Sequence, residues 1–165
     1  MDIIQDLPPR DPVKTLKAFL DRDPPAQLGD FIGNLLTPEE KEYRTLSLET
    51  EIKEGEVDKY FIPYLRKINS FDFIVTTACC TGHVGGHLKK KAHFSFRSSL
   101  SLEKVVDLLL RPMEDKFDTE IQLMTECRRL RYILWLDRRR WRKEVEYFIS
   151  LLEGISLRSR PHKEN

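Results

Sequence analysis

Cysteine and glycine are scarce in this chain, with three and seven in 165 residues. Three cysteines, two of them adjacent at 79 and 80, cannot frame a disulfide scaffold. The fold must therefore rest on a buried apolar core, and a reducing cytoplasm suits it. No apolar run approaches the ~20 residues that cross a bilayer, so no membrane helix is expected. Met1 to Arg10 carries acids and prolines where a secretory signal has a basic start and an apolar stretch. A G-x-G-x-x-G after a strand is missing, and so is a P-loop, which argues against a doubly wound nucleotide fold. Cys79, Cys80, His83, His87 and His93 are zinc-ligand types. They lack a C-x2-C pair and match no zinc spacing, so no metal site is expected.

What is present points to a soluble domain. The chain is 40% hydrophobic and 33% charged, and its length is enough to bury a real core. Net charge is +1 but unevenly spread, at −4 over residues 1–70 and +5 over residues 71–165. The basic excess gathers at Lys89-Lys90-Lys91, at Arg128-Arg129 with Arg131, and at Arg138-Arg139-Arg140 with Arg142 and Lys143. One such cluster is an ordinary solvated face; three in one half suit a polyanion such as RNA.

Apolar spacing sets the organisation. Residues 1–36 are punctuated by proline and carry two helical stripes, Val13 to Leu20 and Leu28 to Leu36, which reads as a helical hairpin extension. Thr37-Pro38-Glu39-Glu40 is a helix start with a capping box, and that helix runs to about Lys53, before Gly55. Val57-Asp58 opens a second helix ending at Asn69, with Pro63 kinking it or delaying its start. From Phe71 the period becomes two. Strands are expected over 72–78, 90–97, 119–126 and 129–137, the last two joined tightly at Cys127-Arg128. Helices are expected over 101–111, capped by Ser101, and from Trp141 through Leu152. The fold class is α+β: N-terminal helices, then ββα-ββα with a largely antiparallel sheet. The main domain is set at 37–155 and a tail at 156–165. Phe94, Phe96, Tyr132, Trp141 and Phe148 are assigned to the core. Trp135 falls on the opposite strand face, a candidate stacking platform.

The run from Val75 to Gly86 stands apart. A β-prone stretch ends in small polar and thiol residues and then enters a turn holding three of the seven glycines. Glycine lets backbone approach a ligand closely, and successive N–H groups in such a turn can cradle an anion. Thr76, Thr77 and Thr81 add hydroxyls. An ordinary turn between strands has the same composition. Cys80 is read either as a thiol activated by His83 or Lys89 or as an inert buried side chain.

Taken with what precedes it, this run resembles the third enzyme family of the tRNA wybutosine-synthesis pathway, a family of methyltransferases. That family carries a (K/E)G-x-(I/V)D segment, a helix ending in Ile-Asn, and a TTSSCSGR loop. Gly55, Val57 and Asp58 fit the first; Ile68 and Asn69 the second; Thr76, Thr77, Cys80 and Gly82 the third, with Thr81 keeping a hydroxyl. The likeness spans about residues 43–84, roughly a quarter of the chain. Ala78 and Cys79 replace the family's serines and His83 its arginine, and the family's C-terminal motifs are not recognisable.

The resemblance implies methyl transfer from S-adenosylmethionine to a ring nitrogen of a tricyclic guanosine in the anticodon loop of phenylalanine tRNA. It implies Asp58 and Thr77 as catalytic residues, Asp58 having also the plain reading of a helix N-cap. It implies Asn69, Thr76, Cys80, Thr81, Gly82 and His83 around substrate or cofactor. Lys89, Lys90, Lys91, Arg138, Arg139 and Arg140 would meet tRNA phosphates. Two alternatives stand beside it: an RNA- or nucleotide-binding module without catalysis on the same scaffold, and a protein-interaction domain docking through residues 1–36.

Overall fold

Thr37 starts the first helix as its sequence demands: its hydroxyl accepts from the Glu40 N–H at 3.2 Å, with Pro38 in the first turn. The computed structural model describes residues 35–80, 91–126 and 129–159, with the backbone alone at 78–80, 91 and 124–126. The expected hairpin over 1–36 lies outside these residues up to 34. Helix α1 is Pro38–Lys53. It ends where Gly55 takes φ +74°, a conformation that favours glycine. Helix α2 is Ile62–Asn69, shorter than the stretch expected from Val57. Pro63 sits in its first turn, where its missing N–H costs nothing.

Strand β1 is Ile74–Cys80 and β2 is Lys91–Ser98, so Cys79 and Cys80 belong to the strand and not to the loop beyond it. Helix α3, Leu102–Val105, is capped by Ser101 as expected. It continues through a π-helical turn, Val106–Leu110, into α4, Arg111–Phe117. The helical stretch thus runs past the expected end at 111. Pro112 explains the π turn: it offers no N–H to the carbonyl four residues back, and the helix absorbs it by shifting register. The Arg111 N–H reaches back to the Val106 carbonyl instead. Asp118 closes the helix at φ +55°. Strands β3, Glu120–Glu126, and β4, Arg129–Asp137, precede α5, Trp141–Ser159. Helix α5 extends beyond residue 155, because Ile155 continues its buried stripe.

The four strands form one antiparallel sheet in the order β1-β2-β4-β3, an α+β fold. Phe94 and Phe96 face the core and His93, Ser95 and Arg97 the other side, as the alternation predicts. Phe96 stacks on Tyr132 at 5.0 Å between centroids, and Phe148 of α5 meets Phe94 at 5.0 Å and Phe96 at 5.3 Å. Trp141 is core too, stacked on Phe61 at 4.6 Å. Trp135 lies on the opposite face against His93, 4.9 Å away.

Candidate functional site

The irregular part of the sheet lies in β1. Thr76 pairs with Phe96 and Ala78 with Ser95, so Thr77 is an extra residue in the ladder, a β-bulge. Bulges re-aim side chains. Here the Thr77 hydroxyl lies 2.6 Å from that of Ser95, on the face away from the aromatic core.

Asn69 holds the neighbouring residue. Its Oδ1 accepts from the Thr76 N–H at 2.9 Å, and its Nδ2 donates to Thr76 Oγ1 and to the Leu65 carbonyl, both at 2.7 Å. Asn69 and Thr76 are both buried, so this network satisfies the Thr76 N–H and hydroxyl beside the bulge. Lys41 of α1 ties the same corner from outside. Its ammonium donates to the Asn69 carbonyl at 2.5 Å and to the Ile74 carbonyl at 2.7 Å. Burial pushes it down to about 8, against the opposing pull of Asp72.

One residue earlier, Glu40 of α1 forms a two-pronged ion pair with Arg97 of β2, at 2.5 and 2.8 Å. Arg97 also donates to the Leu130 carbonyl at 2.8 Å. The pair is almost wholly enclosed, with the Arg97 side chain 4% and that of Glu40 11% exposed. Adjacent residues of one helix thus fix it to the sheet and to the α2–β1 corner.

A cleft of about 240 Å³ opens between these elements. Arg44, Ser47, Leu48 and Glu51 of α1 form one wall, Glu56, Val57 and Leu65 another, and Thr76 and Thr77 the floor. The α1 residues recur at i, i+3, i+4 and i+7, one face of a helix. That spacing is the signal by which sequence reading could have found them, since it sets polar groups around the buried Leu48.

The expected site residues fall as follows. Thr76 and Thr77 line the cleft, while Asn69 stands behind them with its amide engaged on Thr76 and Leu65. Half-buried Asp58 follows the lining residue Val57, and its Oδ1 accepts from the Tyr60 N–H at 3.1 Å. Asp58 thus caps the turn before α2 and not the helix itself, whose N-cap is Phe61. Cys80 lies in β1 opposite His93. Thr81, Gly82, His83, Lys89 and Lys90 lie outside the described residues. Lys91 pairs with Asp137, which brings the start of β2 to the end of β4 and its Arg138–Arg139–Arg140 turn. Arg138 and Arg139 are exposed; Arg140 donates to the Phe117 carbonyl at 3.2 Å. Among the described residues, no helix is long and apolar enough to cross a membrane.

A second hollow, of about 160 Å³, lies at the start of β3 and the end of β4, lined by Trp135, Arg140 and Glu144 among others. Glu144 is buried and its Oε2 accepts from the Asp137 N–H at 2.9 Å. Burial pushes its carboxyl up to about 7, outweighing that hydrogen bond and Arg140.

The chain matches part of three curated proteins. It is 35% identical over 74 residues to tRNA(Phe) 7-((3-amino-3-carboxypropyl)-4-demethylwyosine(37)-N(4))-methyltransferase 1 of Pyrococcus furiosus, covering 40% of this chain and 38% of that protein. It is 47% identical over 47 residues to the corresponding methyltransferase of Methanocaldococcus jannaschii, covering 28% and 24%. The methyltransferase 1 of Pyrococcus horikoshii is 32% identical over 77 residues, covering 42% and 39%. The chain thus matches roughly a quarter to two fifths of the length of these relatives. No family model matches it. Its fold is similar to that of the PH1069 protein from Pyrococcus horikoshii, with a TM-score of 0.52 at 17% identity over 78% of this chain and 97% of that one. The resemblance read from residues 43–84 therefore stands as a partial, divergent match to the wybutosine-pathway tRNA methyltransferases.

Proposed function

We propose that the protein is an S-adenosylmethionine-dependent tRNA methyltransferase of wybutosine-synthesis type, or a divergent relative acting on another RNA base. The observation that carries this reading is one cleft bordered by both the Gly55–Asp58 turn and the Thr76–Thr77 bulge, two of the segments on which the family likeness rests. The donor set suits the cofactor in part. Glu51 and Glu56 match an ammonium or a ribose diol, and Arg44 a carboxylate, with Ser47, Thr76 and Thr77 supplying hydroxyls. At about 240 Å³ the cleft is smaller than the ~300–1,000 Å³ of pockets that enclose a whole drug-sized ligand, so the described walls accommodate a portion of it.

When bound, the cofactor supplies an electrophilic methyl group. The protein's part is alignment: its rigid walls hold the accepting nitrogen in line with that methyl. The bulge fixes the Thr77 hydroxyl, through Ser95, as a hydrogen-bonding group at the floor. Asp58, which follows Val57 of the cleft wall and is the carboxylate singled out by the family likeness, accepts the proton from the ring nitrogen in this reading.

The test is calorimetric titration with S-adenosylmethionine, repeated on Thr77→Ala and Asp58→Ala. The expected result is saturable binding by the wild type, weakened in Thr77→Ala, with radiolabelled methyl transfer to tRNA bearing the precursor base and loss of transfer in Asp58→Ala. No binding at millimolar cofactor would overturn the enzyme reading. The substitutions Ala78, Cys79 and His83 favour a second reading, RNA binding without transfer. That reading is selected if salt-sensitive RNA binding persists where cofactor binding fails.

A further inference from the structure

Tyr43 and Tyr60 are both largely exposed, and Tyr60 is set apart by its neighbours. It is 54% exposed and lies three residues beyond Val57 of the cleft wall. Two cations lie over its ring: Lys59 Nζ at 5.2 Å and Arg142 Cζ at 5.9 Å from the centroid. Arg142 comes from the first turn of α5 and also lies over the Trp141 ring at 5.1 Å. Beneath, Trp141 stacks on Phe61, the residue after Tyr60, so the turn that presents Tyr60 is anchored in the core. Lys143 and Arg139 are exposed beside Arg142 in sequence. The surface is an aromatic ring set among cations, on a turn anchored in the core three residues beyond the cleft wall.

We propose that Tyr60, with Lys59 and Arg142, forms the element that docks an unpaired stretch of RNA beside the cleft, the ring stacking on a base and the cations meeting the flanking phosphates. This rests on the RNA part of the proposed function and assigns it a place. Single-stranded RNA is the partner that uses both halves of the surface: an aromatic face for a base and positive charge for a backbone. An acidic protein segment would use the charge alone.

The experiment is fluorescence anisotropy with a labelled hairpin RNA carrying a seven-nucleotide loop, without cofactor, across a salt series. Tyr60→Ala is expected to weaken binding about 5- to 100-fold with little change in salt slope. Tyr60→Phe, which keeps the ring, restores it. Arg142→Gln is expected to lower the slope of log affinity against log salt by about 0.7. Leu157→Ala, at a position 63% exposed elsewhere on α5, serves as the control and leaves binding unchanged. The proposal is overturned if Tyr60→Ala binds like wild type, if Tyr60→Phe is as weak as Tyr60→Ala, or if polyglutamate of equal charge competes as well as unlabelled RNA. Because this assay needs no cofactor, Tyr60-dependent RNA binding by a protein that gives no product in the separate radiolabelled-methyl assay would sink the enzyme reading and leave this one intact. Cofactor binding with no effect of Tyr60 would do the reverse.

Discussion

The two strand pairs of the sheet share one topology and differ in how they are held. The β3–β4 register runs without interruption from Glu120 opposite Trp135 to Glu126 opposite Arg129. The β1–β2 register breaks at Thr77. The second pair is fastened mostly by apolar contact, through Ile121, Leu123, Tyr132 and Leu134. The first is also fastened by enclosed polar groups: Asn69 on Thr76, Thr77 on Ser95, Lys41 on Ile74, Arg97 on Glu40. Apolar packing tolerates small shifts, whereas hydrogen-bonded polar networks specify one geometry. The cleft borders the pair whose geometry is fixed by polar bonds.

That contrast can be broken most forcefully at Glu40. Glu40→Ala leaves the Arg97 guanidinium enclosed and is expected to destabilise by about 3–5 kcal/mol in urea denaturation. Asn69→Ala should follow, at about 2–4 kcal/mol, because it strands the buried Thr76 N–H and hydroxyl. It should also weaken cofactor titration in proportion to the loosened floor. Glu144 tests the second pair by pH. Its carboxyl is raised to about 7, so the folded state holds the proton more tightly than the unfolded one. Wild-type stability from this group is complete below the ordinary carboxylate value and declines as pH rises to about 7. Glu144→Gln should therefore match wild type at pH 4 and exceed it at pH 8 by on the order of 1–3 kcal/mol, read from Tm at both pH values. The smallest effect is expected at Thr77→Ala, about 1 kcal/mol or less in stability. If Gln122→Ala in the regular pair impaired cofactor binding as much as Thr77→Ala, the distinction between the pairs would fail.

Much of this fold was legible because it follows short-range periodicity. Thr37 and Ser101 announced their helices, and the alternation of Phe94 and Phe96 with His93, Ser95 and Arg97 gave β2 its faces. Helix α2 began late and the 102–117 helix ran long for one reason: a proline inside a helical pattern does not say whether it starts, ends or deforms the helix. Pro63 starts one and Pro112 is absorbed by a π turn. The bulge was illegible because an inserted residue leaves composition unchanged and alters only register. Of the cleft, the Thr76–Thr77 floor and the Val57 wall came from motif likeness. The α1 wall has its local signal in the spacing of Arg44, Ser47, Leu48 and Glu51, but what that face meets is set by Glu40 reaching Arg97, 57 positions away, a pairing no local pattern records.

The strand order β1-β2-β4-β3 places the second strand of each ββα unit at the centre. The seam between the halves is therefore itself a strand pair, Lys91 to Phe96 against Asp137 to Tyr132. Each half alone would present an open edge on its inner strand, and open edges recruit partners. The domain is in that sense a closed two-piece assembly within one chain. A break in the connection near Asp118, between the first unit's helix and β3, would give two fragments whose best available mate is each other.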